Sequence, residues 1–152
     1  MATGGQRWFT TCFTYSGHPV ACRAALTNIK FMERTHLLAH VWNVGTYFEE
    51  RLAELAGLPL VGNVRGRKLK LCTENVANKA TKEPMPDDAG ESKRISNACE
   101  EMCLRVRPIG HLNVMSPSLT IQKSEVDFVV ETLGTAIRKV TDDLVREGYR
   151  IG

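Results

Sequence analysis

Two long apolar stripes at helical spacing, set on either side of a middle that alternates like strands, restrict this chain more than any other feature. From about Thr35 to Ala56, Leu37, Val41, Val44, Phe48, Leu52 and Leu55 recur every three or four residues. From about Lys123 to Glu147, Val126, Val130, Leu133, Ile137, Val140 and Leu144 do the same. That period puts side chains on one face of an α-helix, which must then be buried against something. Gly57 and Pro59 stop the first pattern and Gly148 the second, as a glycine beyond a helix end does. Ser124 and Asp127 have the spacing of a capping box for the last helix. Between the stripes the period shortens to two. Leu60–Val76 reads as two β-like runs around Gly62 and Gly66, and Leu104–Pro108 and Leu112–Ser116 as two strands joined through Gly110. A polar loop with Pro84 and Pro86 spans residues 77–92. A short helix from about Ser92 to Cys103 lines up Ile95, Ala98, Cys99 and Met102. Strands in the middle with long helices at both ends predict an α/β two-layer domain, long helices flanking a small sheet.

At 152 residues the chain is one domain by length, large enough to bury a core without staples. Its net charge of +3 is spread evenly, which argues against nucleic acid. The basic run Arg65–Lys70 lacks aromatic partners and reads as a solvated strand face. No apolar run is long enough for a membrane span, and residues 1–7 lack the apolar core of a signal peptide. Five cysteines without a regular framework fit a reducing cytoplasm better than secretion. Neither an internal repeat nor a low-complexity tract is present.

The remaining stretch is Phe13-Thr-Tyr-Ser-Gly-His-Pro-Val-Ala-Cys-Arg-Ala-Ala-Leu26. An apolar, strand-like run with Trp8, Phe9 and Phe13 meets a Thr/Ser/Gly cluster, then Pro19, which suits the first position of a helix running to about Arg34. Ala21, Ala24 and Ala25 allow close approach of another element, and Ile29 and Met32 extend that face. Hydroxyls beside a helix N-terminus make an anion site, although on the residues alone an ordinary helix cap is their commoner use.

This motif closely resembles the class III pyridoxal-phosphate-dependent aminotransferases, especially the omega-amino-acid:pyruvate type. The resemblance continues in order through Tyr47-Phe-Glu-Glu-Arg-Leu52, Leu60-Val-Gly-Asn-Val-Arg-Gly66, Asn78-Lys-Ala-Thr-Lys-Glu-Pro84, Val106-Arg-Pro-Ile-Gly110 and Ser116-Pro-Ser-Leu119. It covers nearly the whole chain and corresponds to the C-terminal third or so of such an enzyme. It implies the small domain of a fold type I transferase over residues 19–152, entered from a motif segment, residues 1–18, at the end of the large domain. It implies that Thr14 contacts the phosphate of pyridoxal 5'-phosphate bound in the neighbouring subunit of a dimer, with Phe13 beside it. It also implies that Arg107 is the arginine that binds the substrate carboxylate and swings away for amines lacking one. A guanidinium suits that task because it grips a carboxylate bidentately. On position alone Arg107 is a surface arginine at a sheet end, and Arg105 is the rival.

Other candidates read as structural. His36 and His40 stand one helical turn apart without an acidic or cysteine partner, Cys99 and Cys103 share a buried stripe, and His18 organises the turn before Pro19. His111 stands where such enzymes often carry an acidic residue and is assigned no role. Relatives usually read His-Gly before Phe13, where this chain has Thr11-Cys12. Ser116-Pro-Ser-Leu119 replaces a double proline. Arg67, Lys68, Lys70, Thr73 and Asn75 intrude on a strand that is usually apolar and glycine-rich; facing a core, the charges would cost several kcal/mol. The lysine that carries the cofactor, the aspartate that holds its pyridinium nitrogen and the glycine-rich phosphate turn all belong to the large domain in the family. No lysine here, Lys30, Lys68 and Lys79 included, lies in a matching context, so no residue is assigned a catalytic role. The expectation is a partial aminotransferase, a truncated product or one half of a split enzyme, inactive alone. The alternative is a non-catalytic module that associates with a full-length transaminase subunit through the helix after Pro19. Apolar stripes on the first and last helices are expected to stand open without the large domain.

Overall fold

The computed structural model describes residues 14–152, and the chain divides into two units, residues 1–36 and 37–152. The run through Trp8, Phe9 and Phe13 lies outside the described residues.

In the first unit a turn over residues 14–17 is closed by the His18 amide, which donates to the Tyr15 carbonyl at 3.1 Å. It leads directly into α1 (Pro19–Arg34), with the proline in its first turn. His18 takes the N-cap position without a side-chain hydrogen bond. At the other end the Thr35 amide and hydroxyl both donate to the Phe31 carbonyl. Val20, Leu26, Ile29 and Phe31 stand exposed.

The second unit holds α2 (Leu37–Ala53), β1 (Val61–Arg67), β2 (Lys70–Asn75), α3 (Glu91–Glu101), β3 (Arg107–Ile109), β4 (Leu112–Met115) and α4 (Lys123–Arg146). The four strands form one antiparallel sheet in the order β1-β2-β4-β3. Alternation does what the period of two requires. Leu71, Thr73, Asn75, Asn113 and Met115 are buried on the face that meets the helices, while Arg65, Lys70 and Arg107 are exposed on the other. The α2 stripe contributes Val44, Phe48 and Leu52 to the core, and Leu55 follows from a short 3-10 turn.

The last helix differs from expectation in two ways. Its stripe is not open: Val126, Val130, Leu133, Ile137, Val140 and Leu144 are all core, because α2 and α3 pack along it. Burying each of these side chains contributes roughly 1.5–3 kcal/mol. Its capping box is formed by Gln122 and Glu125, whose carboxylate accepts from the Gln122 amide at 2.7 Å, rather than by Ser124 and Asp127. Asp127 faces α2 instead, accepting from the Tyr47 hydroxyl at 2.6 Å and Arg51 Nε at 2.9 Å. Those two donors hold its carboxyl below the usual range. At the C-terminal end Gly148 adopts φ +95°, and the amides of Gly148 and Tyr149 donate back to Val145 and Leu144. This is the Schellman arrangement that glycine permits.

α3 ends the same way with a less suitable residue. Cys103 takes φ +62°, and its amide and that of Leu104 donate to Glu100 and Cys99. Only Cys99 is buried; Cys103 lies beyond the last helical turn and is exposed, so the two do not share a buried stripe. Burial pushes the Cys99 thiol up to about 11.

The intruding charges find two solutions. Arg67 and Lys70 point to solvent. Lys68, at φ +52° in the β1–β2 turn, is drawn in against α2: its amide donates to Glu49 Oε1 at 2.6 Å and its ammonium to Thr46 Oγ1 at 2.6 Å, 4.4 Å from the Trp42 ring centre. Gly45 makes room, since a Cβ there would fall 2.6 Å from Lys68 Cβ. The ammonium is half-buried and also pairs with Glu49 Oε2 at 3.1 Å, which removes most of the expected penalty.

Candidate functional site: the open sheet face around Arg107

β3 is a three-residue edge strand, and Arg107 is its first residue. Its Cα partner is Val114 on β4, Val114 pairs with Cys72 on β2, and Cys72 pairs with Arg65 on β1. Directly paired residues point to the same side of a sheet. Arg107, Val114, Cys72 and Arg65 thus form one row across the open face, away from the core. A shallow depression of about 450 Å³ lies along this row, lined by Arg65, Arg67, Lys70, Cys72 and Val114. Ile109, two residues beyond Arg107, is also exposed there.

Ion pairing separates Arg107 from Arg65 and Arg105, though not from Arg67, which has no ion pair among the described residues and lies over the Trp42 ring at 5.7 Å. Arg65 Nη2 is 3.2 Å from Glu74 Oε1, and Arg105 Nε is 3.4 Å from Glu100 Oε1. Among the described residues Arg107 has no carboxylate within ion-pair distance and no side-chain hydrogen bond. A guanidinium in that state keeps all five N–H donors available for an incoming anion.

The hairpin that carries Arg107 is fastened from behind. β3 and β4 are joined by Gly110 and His111, with Ile109 opposite Leu112. The His111 carbonyl accepts from the Asn75 amide at 2.8 Å. The His111 Nδ1 lies 2.9 Å from Glu91 Oε1, a carboxylate whose side chain is 3 % exposed at the start of α3. Ser92 Oγ lies 3.3 Å from the same oxygen and accepts from Asn75 Nδ2 at 2.9 Å. Asn75 Nδ2 also donates to Asn113 Oδ1, whose own amide donates to the Ser92 carbonyl. Sequence reasoning missed this group. Asn75 and Asn113 at inward strand positions are its one sequence signal, because a buried amide needs partners.

Thr14 is exposed in the turn before α1, in the first unit; Phe13 lies outside the described residues. Among the described residues the Thr14 hydroxyl has no hydrogen-bond partner, and the first turn of α1 has no side-chain cap. The histidine pair is put to other uses: His36 is exposed, and His40 Nε2 donates to the Ile121 carbonyl at 2.9 Å. Lysines hold structure too. Lys79 donates to the carbonyls of Ala56 and Leu58, Lys82 to that of Gly62, and Lys139 pairs with Glu101. No helix among the described residues is long and apolar enough to cross a membrane.

Comparison with known proteins gives a consistent result. The family model for Aminotransferase class-III matches residues 3–137. A probable gamma-aminobutyrate transaminase 3, mitochondrial, from Oryza sativa subsp. indica is 33% identical over 91% of this chain and 27% of its own length. A probable gamma-aminobutyrate transaminase 4 from Oryza sativa subsp. japonica is 37% identical over 91% and 29%. Among solved structures, a thermostable (S)-enantioselective omega-transaminase from Thermomicrobium roseum superposes with a TM-score of 0.80 at 36% identity, over 90% of this chain and 30% of the other. An omega-transferase from Vibrio fluvialis JS17 gives 0.83 at 33%, over 91% and 33%. The chain thus spans about a third or less of the length of the proteins it matches. With the family model matched over most of its length, the chain belongs to the class III aminotransferases.

Proposed function

We propose that this chain is the C-terminal portion of an omega-type transaminase, a small domain over residues 19–152 preceded by a motif segment. The reaction is transfer of an amino group between an amine or amino acid and a keto acid such as pyruvate. Arg107 binds the carboxylate of the amino acid or keto acid. The observation that carries this reading is the unpaired guanidinium of Arg107 on the open sheet face, beside Arg65 and Arg105, which carboxylates already hold. Thr14, with Phe13 beside it, would hold the phosphate of pyridoxal 5'-phosphate across a homodimer, or across an association with a large-domain chain. When bound, that cofactor supplies the electron sink for moving the amino group. The lysine that carries it is assigned to the large domain, as the family resemblance implies. The thiols of Cys22, Cys72, Cys99 and Cys103 are free, in keeping with a cytoplasmic setting.

The test is an amine-dependent pyruvate-consumption assay on the purified chain with pyridoxal 5'-phosphate added. No turnover is expected, and turnover would overturn the assignment of the catalytic lysine to another part of the enzyme. A second reading is favoured by one observation, the exposed apolar side chains of Val20, Leu26, Ile29 and Phe31 on α1. Under it the chain is a non-catalytic module that associates with a full-length transaminase subunit through α1. Co-purification with a full-length relative, abolished by Phe31→Asp, supports the module; a stable lone monomer counts against it.

A further inference from the structure

Four residues, Asn75 of β2, Glu91 and Ser92 of α3 and His111 of the β3–β4 turn, close a ring behind the Arg107 hairpin. The Asn75 amide binds the His111 carbonyl at 2.8 Å. The His111 ring meets Glu91 at 2.9 Å, Ser92 Oγ lies 3.3 Å from Glu91, and the Asn75 side chain returns to Ser92 Oγ at 2.9 Å. Three of the four members, Asn75, Glu91 and Ser92, are buried, and His111 is part-exposed.

The chemistry of the ring dictates its hydrogen-bond directions. Ser92 Oγ already accepts from Asn75, so its single proton is free for Glu91. A carboxylate buried at the start of a helix accepts only, and burial without donors would be costly. Of its contacts, the 2.9 Å approach from His111 Nδ1 is the shorter, and 3.3 Å from serine is long for a hydroxyl donor. His111 must therefore present Nδ1–H to that oxygen.

The position of the ring gives it a use. Among the described residues β3 pairs with no strand but β4, and the connection between them is the two residues Gly110 and His111. The direction in which Arg107 leaves the sheet depends on that short edge strand, and the ring ties its turn to β2 and α3 at once. We infer that His111 is a positioning residue of this site, acting as the Nδ1–H donor that locks the Arg107 hairpin to buried Glu91; the inference rests on the reading of Arg107 as the carboxylate-binding residue.

The test is made on the full chain, labelled with 15N, at neutral pH. A long-range proton–nitrogen spectrum of the wild type is expected to show a proton on His111 Nδ1; a bare Nδ1 with the proton on Nε2 overturns the proposal. Amide exchange is then compared in His111→Ala and His111→Asn, since the asparagine amide can donate from the place of Nδ1. The amides of Asn75 and Leu112 should exchange about tenfold faster in the alanine variant and return to within about threefold of wild type in the asparagine variant. Those of Leu133 and Ile137 in α4 should not change. Equal behaviour of the two variants overturns the proposal, and if His111→Ala does not fold the wild-type spectrum still decides it. Titration with pyruvate keeps the two readings apart. A wild-type Arg107 Hε resonance that ignores pyruvate removes the carboxylate role and leaves the proton on His111 to be judged by the spectrum. A pyruvate response that weakens in His111→Ala and recovers in His111→Asn supports both.

Discussion

The two faces of one four-stranded sheet are built to opposite specifications. On the inward face, Leu71 and Met115 join the apolar core, and Thr73, Asn75 and Asn113 are buried with the helices over them. On the outward face, Arg65, Cys72, Val114 and Arg107 form a row with no helix laid over it in the second unit. Both sets share the same strands and the same register, so only the alternation of side chains separates them. The inward face supplies stability and the outward face supplies a free cation. In this domain the residues that can be lost cheaply in folding are those with the most to offer a ligand.

Substitutions should respond unequally on the two sides. The largest effect is expected from Phe48→Ala, which empties a fully buried site on α2 and should cost about 3–5 kcal/mol in urea unfolding. A cost near zero would mean that the helices do not cover the sheet as described. Next comes acid. The Asp127 carboxyl is held down by Tyr47 and Arg51, Glu147 by Arg94, and Glu49 by the Lys68 amide. Carboxyls lowered by folding stabilise above their unfolded values, near 4, and that contribution is lost as pH falls through the folded values. The urea midpoint should therefore be flat from about pH 6 to 8 and fall below about pH 4. A midpoint rising on acidification would contradict these pairs.

A smaller gain is expected from Cys103→Gly. The left-handed φ of +62° is strained for cysteine, and glycine should raise stability by about 0.5–1 kcal/mol, read as a higher melting temperature. Smallest of all on stability is Arg107→Ala, expected within about 0.5 kcal/mol of wild type because its side chain is exposed and unpaired. A large loss there would make Arg107 a structural residue and break the contrast between the faces.

Much of this fold can be read from periodicity. The α1, α2 and α4 spans, the β1–β2 hairpin and β4 follow from spacing and from glycine and proline stops, while β3 covers Arg107–Ile109 and not the stretch from Leu104. Arg107 as a candidate came from its motif; spacing put it near the end of a strand over 104–108, whereas it is the first residue of β3. What could not be read depends on contacts between distant residues. The ring joins Asn75 to His111 and Ser92 to Asn75 across loops, and nothing in a local window pairs them. The capping box slipped by two residues because Ser124 and Asp127 satisfy the same local pattern as Gln122 and Glu125, and only the pull of Tyr47 and Arg51 on Asp127 distinguishes them. Cys103 passed for core because helical spacing carries on past the point where the chain turns left-handed. The α4 stripe passed for an open face because its cover, α2 and α3, lies in other parts of the sequence.

The central claim is that Arg107, and not its arginine neighbours, is the carboxylate-binding group. The most direct measurement follows the side-chain Hε resonances of Arg65, Arg105 and Arg107 while pyruvate is added to the full chain. Arg107 should respond first and at the lowest pyruvate concentration, with Arg65 and Arg105 lagging because Glu74 and Glu100 compete for them. Equal responses from all three, or silence at Arg107 while another arginine moves, would contradict the account.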